Sequence, residues 1–228
     1  MGTLYLVGTP LGNLGDVSER ALRILRQVRL IAAENPARTQ RLLARYDIHT
    51  PMVRFTDAYE RRKRPRLEAV LAALAEGEVA LVSEAGMPGL ADPGYELLAA
   101  VRERGFPVVA VPGPTALSAA LSVAGLPAER FLFLGFLPRA AGARRRLLAS
   151  LVTAPLTLVA YEAPHRLLAT LAGLAQLFGQ RPMAAVCELS KLYEEVRRGT
   201  AADLLAHYRA HPPRGEFTLV IAGAEGAS

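Results

Sequence analysis

The chain has 228 residues, 51% of them hydrophobic and 21% charged, which is enough to bury one large core or two small ones. Its formal net charge of +6 at pH 7 permits a polyanionic partner, and its single cysteine, Cys187, excludes an internal disulfide and suits a reducing compartment. The longest uncharged stretch, residues 105–128, is broken by four prolines, and no basic segment precedes the first apolar run, so we expect a cytoplasmic protein without a membrane segment.

Strand-like and helix-like segments alternate in the first half of the chain. The predicted strands are residues 3–7, 30–33, 78–83 and 108–111. The predicted helices are one that begins after the N-cap Ser18, residues 38–46, residues 65–75 with Pro65 at the start, and residues 95–104, which end before Gly105. This alternation predicts a largely parallel sheet with helices on its faces.

A Pro-Gly-Pro turn at residues 112–114 interrupts this pattern, and a second α/β series follows. Its predicted strands are residues 131–134, 156–161, 183–188, 193–197 and 217–222, and its predicted helix is residues 165–177. We therefore expect two α/β domains, residues 1–116 and residues 117–228, with a cleft between them that holds a ligand.

Three turns that follow strands in the first half could approach a ligand. Residues 8–15 are glycine-rich, but their spacing matches neither a dinucleotide-binding fingerprint nor a P-loop, so a phosphate cradle is disfavoured. Residues 83–94 form a turn of unusual length with two carboxylates, three glycines and two prolines, which favours a binding role. Residues 111–116 form a third turn, for which a structural role and a binding role are nearly balanced.

Basic residues cluster in three places. The clusters are residues 61–64 with Arg66, residues 144–146, and residues 197–198. Such clusters attract polyanions because neutralising phosphates releases condensed counterions, but solvated helix faces carry the same pattern. Charge alone therefore permits a nucleic-acid partner without requiring one.

Together, the turns and several later phrases resemble the tetrapyrrole-methylase superfamily, and most closely its ribosomal-RNA branch, the small-subunit rRNA cytidine 2′-O-methyltransferases. The phrases that carry the resemblance are residues 4–14 (LYLVGTPLGNL), 30–34 (LIAAE), 80–83 (ALVS), 92–95 (DPGY), 112–114 (PGP), 135–139 (GFLPR), 161–166 (YEAPHR), 188–195 (ELSKLYEE) and 215–217 (GEF). The likeness runs from about residue 3 to residue 223, and its strength lies in this many phrases occurring in one order.

The resemblance implies two α/β domains of the tetrapyrrole-methylase type, S-adenosylmethionine as the cofactor, and 2′-O-methylation of a cytidine in 16S rRNA, either free or in the 30S subunit. It also implies a homodimer. The cofactor contacts that it implies come from Pro10, Ser83, Glu84, Ala85, Gly86, Pro88, Pro112, Gly113, Pro114, Thr115, Glu162, Ala163 and Leu189. A neutral loop of glycine and proline suits this cofactor, because it carries no phosphate.

Methyl transfer to a ribose hydroxyl needs an acceptor oxygen aligned behind the methyl carbon and a group that takes the proton or stabilises the developing alkoxide. The predicted catalytic residues are Lys191, Glu162 and Glu84, with Glu188 and Asp92 as further candidates. For Lys191 a surface ion pair, and for Glu162 a helix cap, remain open as structural explanations. The histidines show no ligand spacing beyond the pair His207 and His211, which more plausibly ends a helix, so we predict no metal site.

The chain departs from the rRNA branch at several acceptor-side positions. Residues 35–38 (NPAR) replace Asp-Thr-Arg-His, residues 56–60 (TDAYE) retain only the acids of a His-rich stretch, and Glu84 and Met87 replace an Asp and a Thr. The helical C-terminal extension of many members is not found. Two alternatives therefore stay open: a methyltransferase that acts on a tetrapyrrole carbon, and an RNA-binding homologue with weak or lost catalysis.

Overall fold

The computed structural model describes residues 2–56, 60–92 and 94–224, with the side chains of residues 60–64 outside that description. Contacts divide the chain into two compact units, Met1–Thr115 and Ala116–Ser228. The domain boundary that we predict from the sequence lies between residues 116 and 117. Each unit has its own sheet and its own hydrophobic core.

The sheet of the first unit has five strands, all parallel, in the order β3-β2-β4-β1-β5. The strands are β1 (Leu4–Val7), β2 (Leu30–Ala33), β3 (Met52–Arg54), β4 (Val79–Val82) and β5 (Val108–Val111). The parallel sheet predicted for this half is confirmed. Only the short edge strand β3 was not predicted.

Helices cover both faces of this sheet and bury two apolar clusters against it. They are a 3₁₀ turn (Leu14–Asp16), α1 (Glu19–Gln27), α2 (Pro36–Arg45), α3 (Glu60–Glu76) and α4 (Tyr95–Glu103). The predicted cap is confirmed, since the Ser18 hydroxyl accepts a hydrogen bond from the Ala21 amide at 3.1 Å. The predicted start of the third helix is wrong: Pro65 lies inside α3, because the charged helix formers before it extend the helix towards the N-terminus.

The sheet of the second unit has the order β6-β7-β10-β8-β9 and is mixed. Its strands are β6 (Phe131–Phe136), β7 (Thr157–Glu162), β8 (Met183–Cys187), β9 (Glu195–Gly199) and β10 (Phe217–Ile221). Only β6 and β7 pair in parallel, and the other three pairings are antiparallel. The α/β alternation of the first half therefore does not continue as a parallel sheet, because β8 and β9 are joined by a short loop without a crossover helix.

Four helices complete the second unit. They are α5 (Ala116–Ala124), α6 (Ala141–Ala149), α7 (Pro164–Phe178) and α8 (Ala201–Ala210). Residues of α6, α7 and α8 share one apolar core with the sheet, and Cys187 in that core is only 5% exposed. Burial raises the pKa of the Cys187 thiol to about 12, so it remains protonated at neutral pH. As predicted, His211 marks the end of a helix, as the C-cap of α8.

In the described ranges, none of the helices has both the length and the apolar character that a membrane span requires. Within the same ranges, no group of three or more histidine, cysteine or acidic side chains is arranged to hold a metal ion.

Candidate functional site

The three predicted turns of the first unit meet at one edge of its sheet. Strands β1, β4 and β5 are neighbours and parallel, so the turns that follow them emerge together at the carboxyl edge. Thr9 and Gly86 form an antiparallel bridge, with Thr9 N–H donating to the Gly86 carbonyl at 2.8 Å and Gly86 N–H donating to the Thr9 carbonyl at 3.0 Å. This bridge fastens the first turn to the second.

The first and third turns touch through two glycines. A Cβ added at Gly8 would lie 2.6 Å from Gly113 Cα, and one added at Gly113 would lie 2.8 Å from the Gly8 backbone. Gly86, at φ +86°, lies beside the Pro114 carbonyl, so the second turn also borders the third. The backbone therefore approaches itself closely where the sequence predicts a ligand site.

The substitution Gly113→Ala is expected to lower the free energy of unfolding by about 1–3 kcal/mol, because the new methyl group would force two backbone segments apart. Urea denaturation measures this change. The matched control is Gly173→Ala, within α7, where an added Cβ meets nothing within 4 Å and a gain of up to about 1 kcal/mol is expected from helix propensity. A Gly113→Ala protein as stable as the wild type would contradict the close approach.

Glu84 is held in a network of charges at this edge. Its carboxylate accepts a hydrogen bond from Arg38 Nη1 at 2.5 Å, and its amide donates to Glu34 Oε2 at 2.8 Å. The Arg38 hydrogen bond lowers the pKa of Glu84. A carboxylate with lowered proton affinity is a weak general base, which favours a positioning role for Glu84 over the predicted catalytic one.

Arg38 is a site residue that sequence reasoning missed, although the departure at residues 35–38 pointed to it. The Asn35 side chain accepts from the Arg38 amide at 3.3 Å and caps α2, which begins at Pro36. This start places Arg38 in the first turn of the helix, within reach of Glu84. The altered motif at residues 35–38 thus supplies Arg38 as the ion-pair partner of Glu84, which replaces an Asp of the rRNA branch.

In the second unit, the candidate residues lie along one edge of the mixed sheet. Phe217 at the start of β10 pairs with Glu162 on one side and with Cys187 on the other, and Cys187 pairs with Glu195. With neighbouring strands about 4.8 Å apart, Glu162 and Cys187 are separated by about 10 Å. The loop that follows Cys187 therefore leaves the sheet at the same edge as Glu162.

The side chain of Glu162, the last residue of β7, is fully buried and contacts residues at and near the start of α7. Its Oε1 accepts from the Ala163 amide at 2.9 Å, its Oε2 accepts from the Thr170 hydroxyl at 2.6 Å, and Arg166 Nε lies 3.1 Å from Oε1. The side-chain exposures of Arg166 and Glu162 are 15% and 0%. These contacts form an ion pair between the end of β7 and the start of α7. The helix cap that the sequence left open for Glu162 is not formed, since no side-chain hydrogen bond caps α7 at Ala163.

The loop of residues 188–194, here called the lysine loop, joins β8 to β9 and carries the other predicted catalytic residue. Lys191 Nζ donates to Glu188 Oε1 at 2.9 Å, and both side chains are about one quarter exposed, at 24% and 22%. Glu188 and Ser190 have positive φ angles of 49° and 65°, which cost about 1–3 kcal/mol each and are typical of functional loops. A Cβ at Gly215 would lie 2.1 Å from Glu188 Oε1, so this glycine leaves room for the carboxylate.

The predicted site residues fall into two groups. The structure brings the residues of the first unit together at its carboxyl edge: Pro10, Ser83, Glu84, Ala85, Gly86, Pro88, Pro112, Gly113, Pro114 and Thr115. Glu162, Ala163, Leu189 and Lys191 share one sheet edge in the second unit. Their roles as cofactor contacts and catalytic groups stay predictions.

The basic clusters differ in what their side chains do. Arg144 is 9% exposed, and its Nη1 donates to the carbonyls of Pro138 and Arg139, so it is a structural residue, whereas Arg145 and Arg146 are exposed. Arg198 Nε donates to the Ala124 carbonyl at 2.8 Å and ties β9 to α5. The side chains of residues 61–64, and residues 57–59 of the altered acidic stretch, lie outside the described part of the chain.

Comparison with known proteins adds four relationships, to one family model, two relatives and one solved structure. A model of the tetrapyrrole (corrin/porphyrin) methylases matches residues 3–205. The chain is 47% identical over 226 residues to ribosomal RNA small subunit methyltransferase I of Synechocystis, covering 98% of this chain and 80% of that protein. It is 44% identical over 226 residues to the protein of the same name from Thermotoga maritima, covering 99% of this chain and 100% of that protein.

Among solved structures, the uroporphyrin-III C-methyltransferase of Thermus thermophilus in complex with S-adenosylhomocysteine has a TM-score of 0.66 to this chain at 20% identity. The match covers 96% of this chain and 97% of that one. At this level of identity, the likeness establishes the fold alone.

Proposed function

Because the chain belongs to the tetrapyrrole (corrin/porphyrin) methylase family, and within it to the ribosomal RNA small subunit methyltransferases I, we propose that it methylates small-subunit ribosomal RNA. The observation that carries this proposal is the identity of 41–47% with relatives of that name over at least 97% of the chain. The chain is thus an enzyme, a methyltransferase. The tetrapyrrole methyltransferases share its fold at much lower identity.

We propose S-adenosylmethionine as the methyl donor, held by the three turns at the carboxyl edge of the first unit and by Glu162, Ala163 and Leu189 of the second. Two observations support this choice. The first and third turns carry no charged side chain and are rich in glycine and proline, which suits a cofactor without phosphate. A structural neighbour of the same fold was solved with S-adenosylhomocysteine, the product of such a donor.

We propose that the acceptor is a ribose 2′-oxygen of a cytidine, with the ammonium of Lys191 stabilising the negative charge that develops on this oxygen while its proton passes to solvent. A ribose hydroxyl is a poor nucleophile, so a nearby cation that stabilises the developing alkoxide accelerates the displacement. The ammonium of Lys191 is partly exposed on a loop whose backbone is fixed, which suits this task. Arg145 and Arg146 supply exposed positive charge for the phosphate backbone.

Transfer of a labelled methyl group from S-adenosylmethionine tests the proposal, with under-methylated small ribosomal subunits and uroporphyrinogen as parallel acceptors. We expect label in the RNA only, at a nucleotide whose ribose has become resistant to alkaline cleavage at its 3′ phosphodiester. Label in the tetrapyrrole alone would assign the enzyme to the other branch. Cofactor binding without label in either acceptor would indicate a protein that binds RNA without catalysis.

We further propose that the protein works in the cytoplasm as a homodimer. Its second unit exposes apolar side chains on the edge strand β6, with Phe131 41%, Leu132 37% and Phe136 56% exposed. An exposed apolar edge strand is a natural pairing surface for a second copy.

A further inference from the structure

A cavity of about 300 Å³ opens beside the lysine loop, at the same sheet edge of the second unit. Its floor is formed by Tyr208 and Phe217, its wall by Glu188, Glu195 and His207, and Tyr193 stands at its mouth. We call it the ring pocket. None of its lining residues is among the predicted cofactor contacts, although Glu188 belongs both to this wall and to the ion pair with Lys191.

The floor of the ring pocket is aromatic and rigid. Tyr208 and Phe217 are 3% and 2% exposed and meet edge to face, with ring centroids 5.3 Å apart at 84°. His207 packs against Tyr208 in the same manner at 4.9 Å and 78°. A planar, unsaturated ring is the shape that such a floor accepts.

The wall of the ring pocket supplies hydrogen-bond acceptors. Glu195 Oε2 accepts from the Tyr208 hydroxyl at 3.3 Å, and its Oε1 lies 2.7 Å from Arg197 Nε and 3.4 Å from His207 Nε2. These neighbours hold the carboxylate in place at the wall. A fixed carboxylate recognises an exocyclic amino group, as glutamate does with the N4 amino group of cytosine.

The mouth of the ring pocket carries an aromatic ring that packs on little of the protein. Tyr193 is 79% exposed, yet its loop is fixed: Ser190 N–H donates to Glu194 Oε2 at 2.5 Å and Glu194 N–H donates to the Lys191 carbonyl at 3.1 Å. An exposed aromatic side chain on a fixed backbone is the form in which proteins present stacking surfaces to unpaired RNA bases.

We propose that the ring pocket receives the unstacked base of the acceptor nucleotide, with Tyr193 stacking on it and Glu195 reading its amino edge. The proposal rests on the proposed function and adds a base-binding site to it. The cavity volume is at the lower limit for ligand sites, which fits one base and excludes a duplex. Glu188 connects the pocket to Lys191, so a base bound here places its own ribose near the lysine.

Three variants test this site in the methyl-transfer assay with under-methylated small subunits. Tyr193→Ala removes the stacking ring, Tyr193→Phe retains it, and Leu192→Ala removes a side chain of the same loop that is 87% exposed and is not among the residues that line the cavity. We expect Tyr193→Ala to raise KM for the subunit by about five- to one-hundred-fold. Tyr193→Phe and Leu192→Ala should stay within about twofold of the wild type, and S-adenosylmethionine affinity and the thermal midpoint should be unchanged in all three.

The outcomes separate this inference from the function on which it rests. If the wild type labels the RNA and Tyr193→Ala retains its KM, or if Leu192→Ala raises KM equally, the base-binding site is wrong while the function stands. An equal loss of cofactor affinity in Tyr193→Ala would assign the residue to the cofactor and also overturn the site. Absence of label in RNA with the wild type overturns the proposed function and the site together.

Discussion

Replacement of Lys191 by methionine is expected to reduce kcat for methylation of small subunits by about 10²- to 10⁴-fold, the range typical of a group that assists proton transfer. Methionine keeps much of the apolar stem but removes the ammonium that lies 2.9 Å from Glu188 Oε1. S-adenosylmethionine affinity, measured by calorimetry, should remain within about twofold, because the loss concerns the transition state and not the bound cofactor.

The lysine and arginine content of the chain supports a specific role for the Lys191 ammonium. The chain has 27 basic residues, of which only Lys63 and Lys191 are lysines, so arginine supplies nearly all of its positive charge. In a chain that otherwise uses arginine almost throughout, the lysine at position 191 indicates a need for a compact ammonium, which guanidinium does not replace.

Two further substitutions, Lys63→Met and Lys191→Arg, are the controls for this prediction. Lys63→Met removes the same group elsewhere and should leave kcat within about twofold, whereas Lys191→Arg restores charge and should not restore kcat. A Lys191→Met enzyme that keeps kcat within about threefold would show that the ion pair with Glu188 is structural only.

The fold of the first unit could be predicted because its signal is local. Short apolar strands alternate with amphipathic helices, and each parallel crossover needs a helix, so segment order determines the sheet type. Strand β3 was not predicted, because its three residues, Met52–Arg54, are partly buried or exposed and are too few to show a hydrophobic period. The antiparallel pairing of the second unit was not predicted, because the hydrophobic pattern of a strand does not depend on the direction of its neighbours.

The candidate site could be predicted in part for the same reason. Turns that follow parallel strands meet at one edge, and the contact between Gly8 and Gly113 follows from that rule. The departure at residues 35–38 pointed to Arg38, but its pairing with Glu84 could not be predicted, because the two residues lie 46 positions apart in the sequence. The family resemblance, which depends on many phrases at once, is confirmed by the relatives.

The sequence around Glu162 also contains the pattern of an ion pair. Its partners Arg166 and Thr170 follow at four and eight positions along α7, on the face of the helix that turns back towards the strand end. A carboxylate at the last residue of a strand, with a cation one helical turn on, indicates an ion pair as strongly as it indicates a catalytic base.

The substitution Glu162→Gln is accordingly expected to lower the free energy of unfolding by about 3 kcal/mol, because it leaves the Arg166 guanidinium with no counter-charge in a buried setting. Arg166 also donates to the carbonyls of Leu137 and Pro138, at 2.6 Å and 3.1 Å, and therefore cannot swing into solvent without releasing that segment. Urea denaturation measures the change, and kcat per folded molecule should fall by no more than about threefold.

A double-mutant cycle with Arg166→Met decides between the two roles of Glu162. Removing both charges should cost less than the sum of the single changes, by about 1–3 kcal/mol, if the pair is structural. Unchanged stability together with a 100-fold or larger loss of kcat in Glu162→Gln would instead establish the catalytic role that the sequence predicts. The geometry favours the first result, because a proton taken up by this carboxylate would have to displace the Ala163 amide, the Thr170 hydroxyl or the Arg166 guanidinium that already occupies its oxygens.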